Sequence, residues 1–131
     1  MNKEIILTKD IMIVSETDEK GNILYANADF CKIAGFFLRE ELIGKPHNLV
    51  RHSDMPKDAF GDLWKTINNG NVWKGIVKNK TKQGEFYWVN ATVYPSKTVD
   101  GRKRYISVRV KPTQEEIDTA TKLYLNMKLG V

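Results

Sequence analysis

The stretch that decides the fold is VWKGIVKNKTKQGEFYWVNATVYPSKTVDGRKRYISVRVKP, residues 72–112. Apolar and polar residues alternate along three runs, which are separated by Gln83-Gly84 and by Asp100-Gly101. Alternation with a period of two is typical of a strand with one covered face, and Asp-Gly between two such runs is a strong hairpin signal. The stretch therefore predicts an antiparallel meander of three strands. These strands are expected over residues 72–81, 85–98 and 102–112.

Two further strands are predicted upstream, over residues 11–15 and 22–26, with a polar turn between them that ends at Gly21. The first is rich in β-branched residues, and the short turn favours an N-terminal hairpin. From Asn27 the apolar residues instead fall at helical spacing, and Gly35 is placed to end that helix. The chain therefore changes from strands to helices at residue 27.

The helical insert continues with single turns predicted over residues 38–43 and 46–50, and with a longer helix that begins at Pro56. After the meander, Thr113 and Glu116 have the spacing of a capping box and predict one more helix. The order of elements predicts an α+β fold. It is expected to be a five-stranded antiparallel sheet with short helices on one face, a C-terminal helix, and a pocket between the insert and the sheet.

Composition narrows the classes of function. The chain has 131 residues, 41% of them hydrophobic, which is enough for one domain with a core. The net charge is +5, but the basic residues are spread thinly, so no nucleic-acid partner is expected.

Cys31 is the only cysteine, which excludes an intramolecular disulfide and fits a reducing compartment. No apolar run is long enough to span a bilayer, and we expect a soluble, cytoplasmic protein.

The densest group of polar side chains lies in GKPHNLVRHSDMPKDAFGDLW, residues 44–64. Arg51 offers a fork of donors, and His52 can gain a proton near neutral pH. Asp54 either orients one of these two or caps the following helix. Trp64 either forms part of the wall of a pocket or packs in the hydrophobic core. A binding role and a purely structural role are both open for each residue taken alone.

Three segments carry a family resemblance: LYAN at residues 24–27, GKPHNLVRHSDMPKDAF at 44–60 and WKGIVKNKTKQGEFYWV at 73–89. They are similar to the PAS domain of bacterial aerotaxis receptors, and the similarity runs from about residue 11 to residue 117. The resemblance implies a PAS fold and a cytoplasmic redox or energy sensor that is not an enzyme. It also implies a non-covalently bound FAD and signalling to a chemotaxis transducer or a HAMP-type signalling protein.

The resemblance carries flavin-supporting roles to five positions whose residue types match the family. These positions are Asn27, Arg51, His52, Asp54 and Trp64. Asn79 joins them as a cofactor-binding candidate because its amide can pair with a ring edge. On this basis the chain divides into an N-terminal cap segment, a PAS sensor domain and a C-terminal signalling or dimerisation helix, at residues 1–10, 11–112 and 113–131.

Two alternative hypotheses of function, each from a different functional class, stay open. One is a PAS interaction domain that forms a homodimer and binds a different small ligand or none. The other is a flavoenzyme, which is disfavoured because no second substrate-binding or nicotinamide-binding segment is visible. No metal site is expected, because His47, His52, Asp54 and Cys31 lack a recognised ligand spacing. If the chain is complete, its output is expected to pass to a separate protein.

Overall fold

The computed structural model describes residues 3–130. Its strands are β1 (Ile13–Thr17), β2 (Ile23–Ala26), β3 (Trp73–Lys80), β4 (Phe86–Lys97) and β5 (Lys103–Val110). Its helices are α1 (Ala28–Ala34), α2 (Lys57–Asn68) and α3 (Gln114–Leu129), with single 3₁₀ turns at Arg39–Glu41 and His47–Val50. Residues 1 and 2 of the predicted cap segment and residue 131 of the predicted C-terminal helix lie outside the described residues.

The strands form one antiparallel sheet in the order β2-β1-β5-β4-β3. The meander is in register over its length, with Trp73 opposite Val93 at the start of β3. β1 lies between β2 and β5, so that Ser15 faces Ala26 on one side and Ser107 on the other. The predicted α+β fold with five antiparallel strands is confirmed, including the N-terminal hairpin and the three-strand meander.

Local signals at two helices fix their ends as the sequence predicts. The Asn27 side chain accepts a hydrogen bond from the backbone N–H of Phe30 at 3.0 Å and caps α1. Gly35 ends that helix with a φ of +84°, a conformation that favours glycine. At α3, the Thr113 hydroxyl accepts from the Glu116 N–H at 3.1 Å, and the Glu116 carboxylate accepts from the Thr113 N–H at 2.8 Å. This is the predicted capping box.

The start of α2 differs from the expectation. No side chain of residues 3–130 caps this helix, and Pro56 stands at the N-cap position with φ −73° and ψ 145°, one residue before the first helical residue. The reading of Asp54 as a helix cap is therefore wrong. Its carboxylate instead accepts a hydrogen bond at 2.7 Å from Nζ of Lys78, a residue 24 positions away in sequence.

The free backbone edge of β3 is covered rather than exposed to solvent. Lys78 N–H donates to the Met55 sulfur at 3.4 Å, and Arg51 forms an isolated antiparallel bridge with Asn79. The Tyr124 hydroxyl of α3 donates to the Ile76 carbonyl. Edge strands with unpaired N–H and C=O groups invite pairing with other chains. The segment before α2 and the C-terminal helix together close this edge.

Candidate functional site

A cavity of about 200 Å³ lies between the inner face of the sheet and the elements that cross it. Its walls come from the second 3₁₀ turn, from α2, and from the inner faces of β3, β4 and β5. This is the pocket predicted between the helical insert and the sheet. Sites for drug-sized ligands typically hold about 300–1,000 Å³. A larger ligand would need outward movement of half-buried lining side chains such as Phe60 and Trp64.

Arg109 is the most unusual residue of the cavity wall, because it is charged and only 3% exposed. One of its terminal nitrogens donates to His47 Nε2 at 2.9 Å, and the other donates to Ser15 Oγ. Its Nε has no hydrogen-bond partner within residues 3–130, and no carboxylate of those residues pairs with it. Burial lowers the pKa of Arg109 to about 10, so the group stays charged at neutral pH.

His47 begins the second 3₁₀ turn and packs edge-on against Phe30, with ring centroids 5.7 Å apart. Burial, reinforced by the charge of Arg109, lowers the pKa of His47 to about 3. The imidazole is therefore neutral at physiological pH and accepts from Arg109. It hydrogen-bonds as a fixed neutral group and does not supply protons near pH 7.

Three of the predicted site residues, Arg51, Trp64 and Asn79, line this cavity together. The Arg51 guanidinium lies over the Phe60 ring at 3.7 Å, and burial lowers the pKa of Arg51. Its Nε also has no hydrogen-bond partner in the described part of the chain. The lining holds three cationic side chains, from Lys20, Arg51 and Arg109, and no carboxylate among residues 3–130. The cavity is electropositive and suits a ligand with negative or hydrogen-bond-accepting groups.

The other three predicted residues lie outside the lining. Asn27 is occupied in the N-terminal hairpin, where Oδ1 also accepts from the Val14 N–H and Nδ2 donates to the Met12 carbonyl. His52 lies at the β3 edge, where its Nδ1 accepts from the Asp54 N–H at 3.0 Å. Burial and the charge of Lys78 lower the pKa of His52. The flavin-supporting roles of Asn27, His52 and Asp54 stay predictions.

An aromatic wall forms one side of the cavity near its rim. The Trp64 and Tyr105 rings meet edge-to-face with centroids 5.6 Å apart, and the Tyr105 hydroxyl donates to Asn68 Oδ1 at 2.6 Å. Gly21 lies against Trp64, since a Cβ built on it would be 3.1 Å from the indole, and its φ is +83°. Flat aromatic walls suit a planar ring system.

The cavity residues that were not among the sequence-predicted candidates include His47, Trp73, Tyr105 and Arg109. On β5 the inward positions are Tyr105, Ser107 and Arg109, whereas Ile106 and Val108 face the other way. Polar residues on the covered side of a strand are the signal that could have identified them, because a covered side is normally apolar.

Within residues 3–130, no group of three or more His, Cys, Asp or Glu side chains is arranged to hold a metal ion. Within the same residues, no helix combines the length and apolar character needed to cross a membrane.

Comparison with known proteins points to one family. A family model described as "PAS domain" matches residues 9–110. The aerotaxis receptor of Escherichia coli (strain K12) is 43% identical over 124 residues, which is 95% of this chain and 24% of the receptor. The nitrogen fixation regulatory protein of Klebsiella oxytoca is 32% identical over 82 residues, 63% of this chain and 16% of that protein. The chain thus spans about a quarter or less of these relatives.

A solved structure gives the same architecture. A light-oxygen-voltage domain, solved in work on a flavin analogue, superposes with a TM-score of 0.68 and covers 92% of this chain and 87% of that one. Its sequence identity is 18%, so the likeness concerns the fold alone.

Proposed function

We propose that this chain, which belongs to the PAS domain family, is a redox or energy sensor that binds FAD non-covalently in the cavity. The resemblance to aerotaxis-type PAS domains is confirmed by the 43% identity to the aerotaxis receptor. The domain is a sensory module of signalling proteins and not an enzyme. The ligand, its redox role and the partner are the proposal.

The observation that carries the ligand proposal is the unpaired, buried charge of Arg109. A guanidinium that is 3% exposed costs much free energy unless an opposite charge pairs with it. Here only the neutral groups of His47 and Ser15 accept from Arg109, and its Nε lacks a partner within residues 3–130. A ligand with acceptor atoms and the capacity for negative charge offsets that cost. A flavin has both properties, because its ring edge carries acceptor atoms and reduction adds negative charge to the ring.

The residues that would hold the flavin have different chemical roles. Arg51 and Arg109 would supply positive charge, the amide of Asn79 would supply a hydrogen bond, and Trp64 would supply a flat wall. When bound, the flavin would supply electron acceptance. The two guanidiniums would favour its negatively charged state, since no carboxylate of residues 3–130 lines the cavity to offset them.

The predicted site residues outside the cavity would support flavin binding indirectly, by fixing the position of helices and loops. Asn27 would fix the start of α1, which packs on β1. His52 and Asp54 would fix the segment that leads from Arg51 to α2, through Lys78. Their contribution to flavin binding is thus proposed as indirect.

The proposed partner is a chemotaxis transducer or HAMP-type signalling protein, and the proposed location is the cytoplasm. The aerotaxis receptor is the relative that supports this choice. The C-terminal helix α3 is the proposed output element. Three of its leucines are more than half exposed, namely Leu123, Leu125 and Leu129. Exposed leucines on a terminal helix also favour the second candidate, an interaction domain that pairs with another copy.

The test is an absorption spectrum and a titration of the purified chain with FAD and with FMN. We expect a bound-flavin spectrum in the wild type, with FAD favoured. Arg109→Met should weaken binding by about tenfold or more, the effect of losing hydrogen bonds from a charged donor. Arg102→Met, at the exposed β4–β5 turn, is the matched control and should bind as the wild type does. A colourless dimer that takes up neither flavin would support the interaction domain instead.

A further inference from the structure

Trp73 separates two hollows of the molecule. It opens β3, is 8% exposed, and forms part of the wall of the cavity. The same residue lines a second hollow, a groove between α2, β3 and α3. Other residues of this groove are Ala59, Asp62, Gly75, Ala120, Tyr124 and Met127. We call it the α3 groove.

Two contacts fix the indole in this position. Its Nε1 donates to Asp62 Oδ2 at 2.9 Å, and Asp62 lines the α3 groove without lining the cavity. On the strand, a Cβ built on Gly75 would lie 2.3 Å from Cη2 of Trp73. The indole therefore occupies the space that a side chain at position 75 would need. Movement of the ring changes the floor of the α3 groove.

The helix α3, which lies over this floor, has few buried residues. Ala120 and Tyr124 are the buried residues of α3. Polar ties to the rest of the domain include the Tyr124 hydroxyl on the Ile76 carbonyl, and Lys128 Nζ on the Ser53 carbonyl at 2.8 Å. A helix with few buried contacts opens locally at a low free-energy cost. Its packing is therefore sensitive to the shape of the groove.

We propose that Trp73 is a positioning residue that passes the state of the cavity to α3. A ring system that enters the cavity displaces the indole toward the α3 groove. The hydrogen bond to Asp62 is then strained, and the floor of the α3 groove, which Tyr124 and Met127 also line, changes shape. The step from ligand to indole rests on the proposed function. The step from indole to α3 does not, and it is tested without any ligand.

The experiment is amide hydrogen exchange of the full chain, with and without FAD, and with the flavin content of each sample measured by absorbance. The variant is Asp62→Ala, which removes the acceptor of the indole N–H. Asp58→Ala removes an exposed acidic residue of the same helix and is the control. Amides of β4 serve as the internal reference for global stability.

In ligand-free protein, we expect Asp62→Ala to raise exchange in α3 by about tenfold, the effect of losing one hydrogen bond to a charged acceptor. Exchange in β4 should not change. In the wild type and in Asp58→Ala, FAD should raise exchange in α3 by a similar factor. In Asp62→Ala, FAD should bind at least as tightly as in the wild type, because it no longer strains that hydrogen bond, and it should add nothing to exchange in α3.

Unchanged exchange in α3 of ligand-free Asp62→Ala overturns the coupling, whatever the ligand. FAD bound to the wild type with no change in α3 also overturns it. FAD that fails to bind at all overturns the proposed function and leaves the ligand-free comparison to decide the coupling. Gly75→Ala is a second variant to be compared with the wild type without ligand, because its methyl group forces the Trp73 indole out of its present position. If that variant folds, exchange in α3 must rise.

Discussion

Arg109 donates to Nε2 of His47 across 2.9 Å. A guanidinium has only donors, so the imidazole must accept at Nε2 and carry its single proton on Nδ1. The arginine thus fixes both the charge and the tautomer of the histidine. Ser15 lies between them and accepts from Arg109 through its hydroxyl. This pair, rather than either residue alone, defines the polar wall of the cavity.

The His47–Arg109 contact predicts a pH dependence of stability. The pKa of His47 is about 3 in the folded chain and ordinarily 6.5. Because the folded form resists protonation, the stabilising contribution of His47 is fully present above pH 6.5 and is lost as the pH falls toward 3. The slope is about 1.4 kcal/mol per pH unit for one histidine. Urea unfolding at pH 6 and pH 5 measures it, before carboxylates dominate.

His47→Gln should remove this slope, because glutamine does not titrate. His52→Gln is the control that keeps His47, and it should retain most of the dependence although the pKa of His52 is also lowered. Equal pH dependence in the wild type and His47→Gln would mean that the histidine is not buried as described.

The unpaired cations predict the redox behaviour of a bound flavin. Arg109→Met should lower its midpoint potential, since the variant loses affinity for the negatively charged state more than for the neutral one. Each tenfold difference between the two affinities corresponds to about 59 mV for one electron. Redox titration measures the shift, with Arg102→Met as the control. An unchanged potential would show that Arg109 does not face the flavin ring.

Asn27→Ala should lower stability rather than flavin affinity. The side chain accepts from two backbone N–H groups and donates to the Met12 carbonyl. Losing a helix cap together with these bonds costs about 2–3 kcal/mol of unfolding free energy. Urea unfolding measures the cost, and a flavin titration under folding conditions measures the affinity. Asn27→Ser keeps a capping acceptor and should recover part of the loss. A large affinity change with normal stability would favour direct contact.

Asp54 and Lys78 should couple weakly. Their contact is 2.7 Å long, but the Asp54 side chain is 62% exposed. A double-mutant cycle with Asp54→Asn and Lys78→Met should give a coupling free energy of at most about 1 kcal/mol that falls with added salt. A coupling free energy well above 1 kcal/mol, or one that added salt does not change, would contradict a weak exposed contact.

The sequence predicts the parts of this fold that rest on neighbours in the chain. The end of α1 at Gly35, the α3 capping box and the hairpin turns each need residues within a few positions of one another, and each is found as predicted. The start of α2 differs because Pro56, and not Asp54, stands at the N-cap position. Asp54 instead contacts Lys78, and a pattern of neighbouring residues does not contain a contact that only the folded sheet brings near.

The cavity brings together three of the six predicted site residues. Arg51, Trp64 and Asn79 meet at the cavity as the sequence suggested, because the 3₁₀ turn, α2 and β3 all face it. Arg109 escapes prediction because an arginine in a basic strand ordinarily faces solvent. Its burial depends on Ser15, which is 94 positions away in sequence, and on His47. The alternation along β5 puts Arg109 on the same face as Tyr105 and Ser107, but it does not contain these distant partners.

The sheet order has a consequence for how the chain folds during synthesis. β1 is the first of the five described strands to be made, and its neighbour β5 is the last of the five to leave the ribosome. Until residue 110 emerges, the N-terminal hairpin has an open edge and the cavity has no Arg109. Pairing across so long a separation carries a large loop-closure cost and slows folding. Nascent chains that end before β5 should therefore remain open to proteases and chaperones, and completion of one central strand should close the domain in a single late step.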